Sequence, residues 1–118
     1  MNQPSELTLL RDRLRDFAAE RDWEQFHSPK NLSMALMVEV AEIMEHFQWL
    51  SEADSTTATA VNQQAVSEEL ADVLLYLVRL ADRLDIDLFD AATRKLEKNA
   101  VKYPADQVRG SSKKYSDY

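Results

Sequence analysis

Apolar positions recur at helical spacing through most of the chain. Leu7, Leu10, Leu14, Phe17 and Ala18 form a stripe that predicts a first helix, with Ser5 as its N-cap and its end near Arg21. That rhythm breaks over residues 21–31, RDWEQFHSPKN, where Ser28 and Pro29 predict an irregular connection. Trp23, Phe26 and His27 in this connection are either plugs over the core or ligand contacts. A second helix is expected from Leu32 to Leu50, apolar nearly all round through Met34, Met37, Val38, Val40, Met44, Phe47 and Trp49. Such a helix needs cover on more than one side, which predicts a dimer whose interface uses it. Periodicity lapses over residues 51–64 and returns in a third helix from Ala65 to Asp85. Asp87 is expected to cap a fourth, running to Lys102 and ended by Tyr103-Pro104. Residues 1–104 are therefore read as one all-α, four-helix bundle-like domain. Residues 105–118, with almost no apolar content, are read as a flexible C-terminal tail.

Two of the apolar stripes carry acids. Glu39 and Glu42 share a helix face with Leu32, Ala35, Leu36 and Ile43, and Glu69 and Asp72 share another with Val73, Tyr76 and Leu80. Unpaired carboxylates are costly to bury and repel one another, so a packed core would need protons or cations to tolerate four of them. Four carboxylates from two helices make an all-oxygen donor set that suits Mg²⁺ and leaves positions for water and phosphate. The chemistry that follows is hydrolysis of a phosphoanhydride. Lys95, Asn99 and Lys102 share a face of the fourth helix and supply cationic and amide groups for phosphates. Trp23, Trp49 and Tyr76 are available to stack on a base. His46, one turn beyond Glu42, reads as a packed or capping histidine rather than a ligand.

Competing readings explain less. A di-iron carboxylate bundle normally has two Glu-x-x-His motifs, and only Glu24 to His27 has that spacing, running into a proline. A non-enzymatic acidic dimerisation module does not explain why the charges sit on apolar faces.

Composition adds exclusions. One glycine and three prolines among 118 residues suit helices rather than hairpins. The formal charge of −7 argues against a nucleic-acid polymer as partner, though not against a nucleotide carried with its metal. Without cysteine there are no disulfides, thiolate nucleophiles or Cys-ligated zinc, which fits a reducing cytoplasm. MNQPSEL lacks a signal-peptide pattern and no stretch is long and apolar enough to span a bilayer, so a cytoplasmic protein without a membrane partner is expected.

KNLSMALMVEVAEIMEHFQW, followed by EELADVLLYLVRLADRLDIDLFDAATRKLEKNAVKYP, closely resembles the MazG-like all-α NTP pyrophosphohydrolases, and within them the dCTP pyrophosphatase branch. The signature is ExxE and then ExxD, here Glu39-x-x-Glu42 and Glu69-x-x-Asp72, joined by RDW, FQW and KxxxNxxKYP. The resemblance implies that these four acids bind Mg²⁺ and that a nucleoside triphosphate is split to monophosphate and pyrophosphate. Substrates would be dCTP-type and base-modified deoxynucleotides, removed as pool sanitation. It also implies nucleotide contacts from Lys95, Asn99 and Tyr103, with Lys102 as a further phosphate candidate. Trp23, His27, Trp49 and Tyr76 would shape the base and sugar pocket. Ser111, Ser112, Lys113 and Lys114 would fold over the phosphates as a lid. Branch members are tetramers built from tight dimers. Leu14 stands where near relatives can carry a histidine that helps at the base.

Overall fold

A computed structural model describes residues 3–57 and 61–112. Among them every regular element is helical: α1 (Glu6–Glu20), α2 (Pro29–Glu45), α3 (Gln63–Arg83), α4 (Leu88–Lys102) and α5 (Ala105–Val108), with 3₁₀ turns at Glu24–Phe26 and Asp54–Thr56. The chain forms two compact units, Met1–Ile86 and Asp87–Tyr118. In the first, α3 packs along α2 and against α1.

Side-chain caps set where the helices begin. Ser5 Oγ accepts from the Thr8 amide at 3.1 Å, Ser28 Oγ from Asn31 at 3.1 Å and Asn62 Oδ1 from Ala65 at 3.2 Å. In the second unit Asp87 Oδ1 does the same for Asp90 at 3.0 Å. Each cap satisfies an amide that has no partner within the helix. Pro29 does not break the chain as expected. It occupies the start of α2 behind the Ser28 cap, three residues before Leu32, where its missing N–H removes no intrahelical bond.

At its far end α2 stops at Glu45 rather than Leu50. His46 N–H turns back to Ile43 and Met44, and Leu50 N–H bonds Phe47 O at 2.9 Å, so the last residues tighten into turns. α3 begins at Gln63, two residues before the expected start, because Asn62 caps it. The segment read as a flexible tail contains α5, entered from Pro104, with Gln107 N–H on Pro104 O at 2.9 Å.

α1 and α3 end alike. Asp22 and Asp85 adopt φ of 54° and 56°. Trp23 N–H then returns to Ala18 O at 2.9 Å and Asp22 N–H to Ala19 O at 3.1 Å, as Ile86 N–H does to Ala81 O at 2.8 Å and Asp85 N–H to Asp82 O at 3.0 Å, the paired bonds of a Schellman stop at each end. Within the first unit Ala18, Leu32, Val78 and Ala81 are buried, while Met34, Met37, Val38, Val40 and Met44 of α2 are exposed on the single chain.

Candidate functional site

The stop after α1 brings Trp23 back over its own helix. Its ring stands edge-on to Phe17 at 5.7 Å and 69°, and to His27 at 6.4 Å and 64°. These residues open onto a cavity of about 210 Å³, lined by Leu14, Phe17, Ala18, Trp23, His27, Asp72, Leu75, Tyr76 and Arg79. A mostly apolar recess with a few polar groups is the usual form of a small-molecule site. Trp23, His27, Asp72 and Tyr76 are thus brought together. Arg79 was not foreseen, although it follows Asp72 and Tyr76 by seven and three residues and so falls on their face of α3.

Arg79 is 5 % exposed. Its Nε donates to His27 Nδ1 at 3.1 Å, its Nη1 lies 3.5 Å from Asp82 Oδ2, and its Nη2 is buried without a hydrogen-bond partner. Arg15 of α1 grips Asp82 with Nε at 2.8 Å and Nη2 at 2.5 Å. That hydrogen bond, above all, holds the Asp82 carboxyl below its ordinary pKa. Arg83 Nε donates to His27 O at 3.1 Å. Burial first, and then the charges of Arg79 and Arg83, push the His27 imidazole below its ordinary value.

The predicted carboxylates lie on α2 and α3. Glu39, Glu42 and Glu69 are half-buried and Asp72 is exposed. Burial, a hydrogen bond shared with Glu42, and the charges of Glu42, Asp72 and Glu69 raise the Glu39 pKa. Oε2 of Glu39 and Oε2 of Glu69 are both buried without a hydrogen-bond partner. His46 caps α2, as its spacing suggested, and also places Nε2 2.7 Å from Glu69 Oε2, a close contact outside hydrogen-bond alignment. Among the described residues, no three Asp, Glu or His side chains stand in a geometry that would hold a metal ion. The donor chemistry does fit a hard cation, since the mutually repelling oxygens include two buried ones without a hydrogen-bond partner.

Trp49 lies outside the cavity lining and is 87 % exposed. Lys95, Asn99, Lys102 and Tyr103 belong to the second unit, on α4 and at its C-cap, where Tyr103 N–H bonds Asn99 O at 2.8 Å. Ser111 and Ser112 follow Gly110, whose φ of 77° turns the chain after α5. Lys113 and Lys114 lie outside the described residues.

Residues 34–118 match the model of the MazG-like family. Over 104 residues the chain is 49% identical to dCTP pyrophosphatase 1 of Rattus norvegicus and 47% identical to that of Homo sapiens. The match covers 86% of this chain and 61% of each of those proteins, so the chain spans less than two thirds of their length. A pyrophosphatase from Archaeoglobus fulgidus, known from its crystal structure, superposes with a TM-score of 0.79 at 40% identity, covering 88% of this chain and 97% of that one.

Proposed function

Because the chain belongs to the MazG-like family, we propose that it is a Mg²⁺-dependent nucleoside triphosphate pyrophosphohydrolase that acts on dCTP-type and base-modified deoxynucleotides. The observation that carries this reading is the double role of Asp72. It lines the aromatic cavity, and its charge is among those acting on Glu39, so a ring-binding recess and an acidic cluster meet at one residue. A triphosphate whose base occupies the cavity would extend its phosphates towards the acids.

Glu39, Glu42, Glu69 and Asp72 would hold the cation. Bound there, Mg²⁺ would neutralise phosphate charge and lower the pKa of bound water. Water adds across the α–β phosphoanhydride, monophosphate and pyrophosphate leave, and one of the four carboxylates takes the water's proton. Trp23, Tyr76 and His27 bind and orient the base. Lys95, Asn99, Lys102 and Tyr103 would serve as phosphate- and sugar-binding groups, and Ser111, Ser112, Lys113 and Lys114 as a lid.

The exposed apolar face of α2 supports assembly into tight dimers and from them a tetramer, with Trp49 completing the pocket of a neighbouring subunit. The proposed setting is the cytoplasmic nucleotide pool. A panel of canonical and 5-modified triphosphates with Mg²⁺, reading pyrophosphate against orthophosphate, tests the reading. Release of pyrophosphate, greatest with dCTP-type substrates, is expected; orthophosphate alone, or no product, overturns it.

A further inference from the structure

His27 has two ring nitrogens, and one of them is already committed. Arg79 Nε donates to Nδ1 at 3.1 Å. A guanidinium has donors only, so Nδ1 must present its lone pair, and the single proton of the neutral ring sits on Nε2. The arrangement is held from several directions. Asp82 lies 3.5 Å from Arg79 Nη1 and is itself gripped by Arg15. Arg83 fixes the His27 carbonyl at 3.1 Å, so both ring and backbone of His27 are tied to α3 across a separation of more than 50 residues.

Charging His27 would set an N–H against the N–H of Arg79. Arg79 and Arg83 both oppose the added charge, and Glu24 favours it. With Nδ1 occupied, Nε2 is the one polar ring atom His27 has left for the cavity that it lines.

We propose that Arg79 is a positioning residue that locks His27 as the Nε2–H tautomer, so that this wall of the cavity donates a hydrogen bond and selects a ligand ring with an acceptor, such as a ring carbonyl, at that edge. An unlocked histidine would interconvert and accept from an amino group as readily as it donates to a carbonyl. Locking removes that second option, and a ring with a donor at this edge leaves two buried donors facing each other. The inference rests on the nucleotide reading for its ligand but not for its tautomer.

Nitrogen-15 NMR of the two histidines in the full chain, with a His27→Gln variant for assignment, reads the tautomer directly. The protein without nucleotide is expected to show an unprotonated Nδ1 and a protonated Nε2 at His27 near neutral pH. In Arg79→Met the ring should become a mixture of tautomers, and its titration should move up towards the ordinary histidine value. The acid limb of kcat/KM should shift to higher pH with it, and KM should rise about tenfold with kcat kept, the loss of one hydrogen bond to a ligand. A protonated Nδ1 in the wild-type protein, or an unchanged tautomer in a folded Arg79→Met, overturns the lock; if that variant does not fold, the wild-type spectrum decides. A lock in a protein that releases no pyrophosphate from any triphosphate supports the tautomer and overturns the nucleotide reading, so the two fail separately.

Discussion

His46 Nε2 stands 2.7 Å from Glu69 Oε2, joining the C-cap of α2 to the first carboxylate of the α3 pair. The contact restricts the rotamers open to Glu69, which otherwise has a buried, unpartnered oxygen. Groups that orient a metal ligand from behind commonly account for 10- to 100-fold in metal affinity, as a general range. His46→Ala should therefore weaken Mg²⁺ binding by about tenfold. Titration calorimetry with Mg²⁺ measures it, and equal affinities in the two proteins would remove His46 from the site.

Glu39 makes a prediction about the metal-free protein. Its folded-state pKa is raised, by burial first and by Glu42 next. Stability linked to this group is fully present below the unfolded carboxyl pKa and is lost as pH rises through the raised folded value. Glutamine resembles the protonated acid, so at neutral pH without divalent cation Glu39→Gln should melt higher than the wild type. Adding Mg²⁺ should raise the wild-type Tm and leave the variant's unmoved. Pyrophosphate release should fall by about 10²-fold or more. A variant that melts lower without metal would show that Glu39 is not under electrostatic strain from its neighbours.

Those acids were visible in the amino-acid pattern because charge on an apolar stripe is a local contradiction. The helices were visible too, and Ser5 and Asp87 cap where their residue types suggested. Pro29 was misread because proline both stops a helix and starts one, and the choice depends on whether the residue before it caps, as Ser28 does. The end of α2 was hidden because Phe47, Trp49 and Leu50 continue the apolar pattern beyond the last helical residue. Arg79 was missed for a different reason. Its partner His27 lies far away in sequence, and helical periodicity records which face a residue occupies but not what meets it there.

The two tryptophans should separate affinity from folding. Trp23 packs against Phe17 and lines the cavity, so Trp23→Ala should lower Tm and weaken binding of dCMP by about 1–3 kcal/mol, the worth of one base–aromatic stack. Trp49 is 87 % exposed and supports little within its own chain. Trp49→Ala should lose affinity without lowering the stability of the isolated subunit, as expected of a side chain that serves a neighbour's pocket. Calorimetry with dCMP, beside thermal melts and sedimentation, checks both. Unchanged affinity in Trp49→Ala would take it out of the pocket.

Asp22 and Asp85 occupy the position that ends α1 and α3, each with positive φ. Aspartate tolerates this conformation better than most residues, but glycine enters it without a Cβ clash, and it is the commonest residue at such a helix stop. Asp22→Gly should therefore stabilise the fold by about 0.5–1 kcal/mol, the left-handed cost less the entropy glycine adds to the unfolded chain. Asp22 also has a local partner to lose, since Gln25 Nε2 donates to its carboxylate at 3.1 Å and to its carbonyl at 2.9 Å. The backbone bond survives substitution and the exposed side-chain bond contributes little, so the sign holds. Asp85→Gly should stabilise by a similar or smaller amount, since its charge also favours the Arg15 guanidinium. Urea unfolding with an unchanged m-value measures both, and a lower midpoint in either variant would show that the aspartate side chain contributes more than its backbone conformation costs.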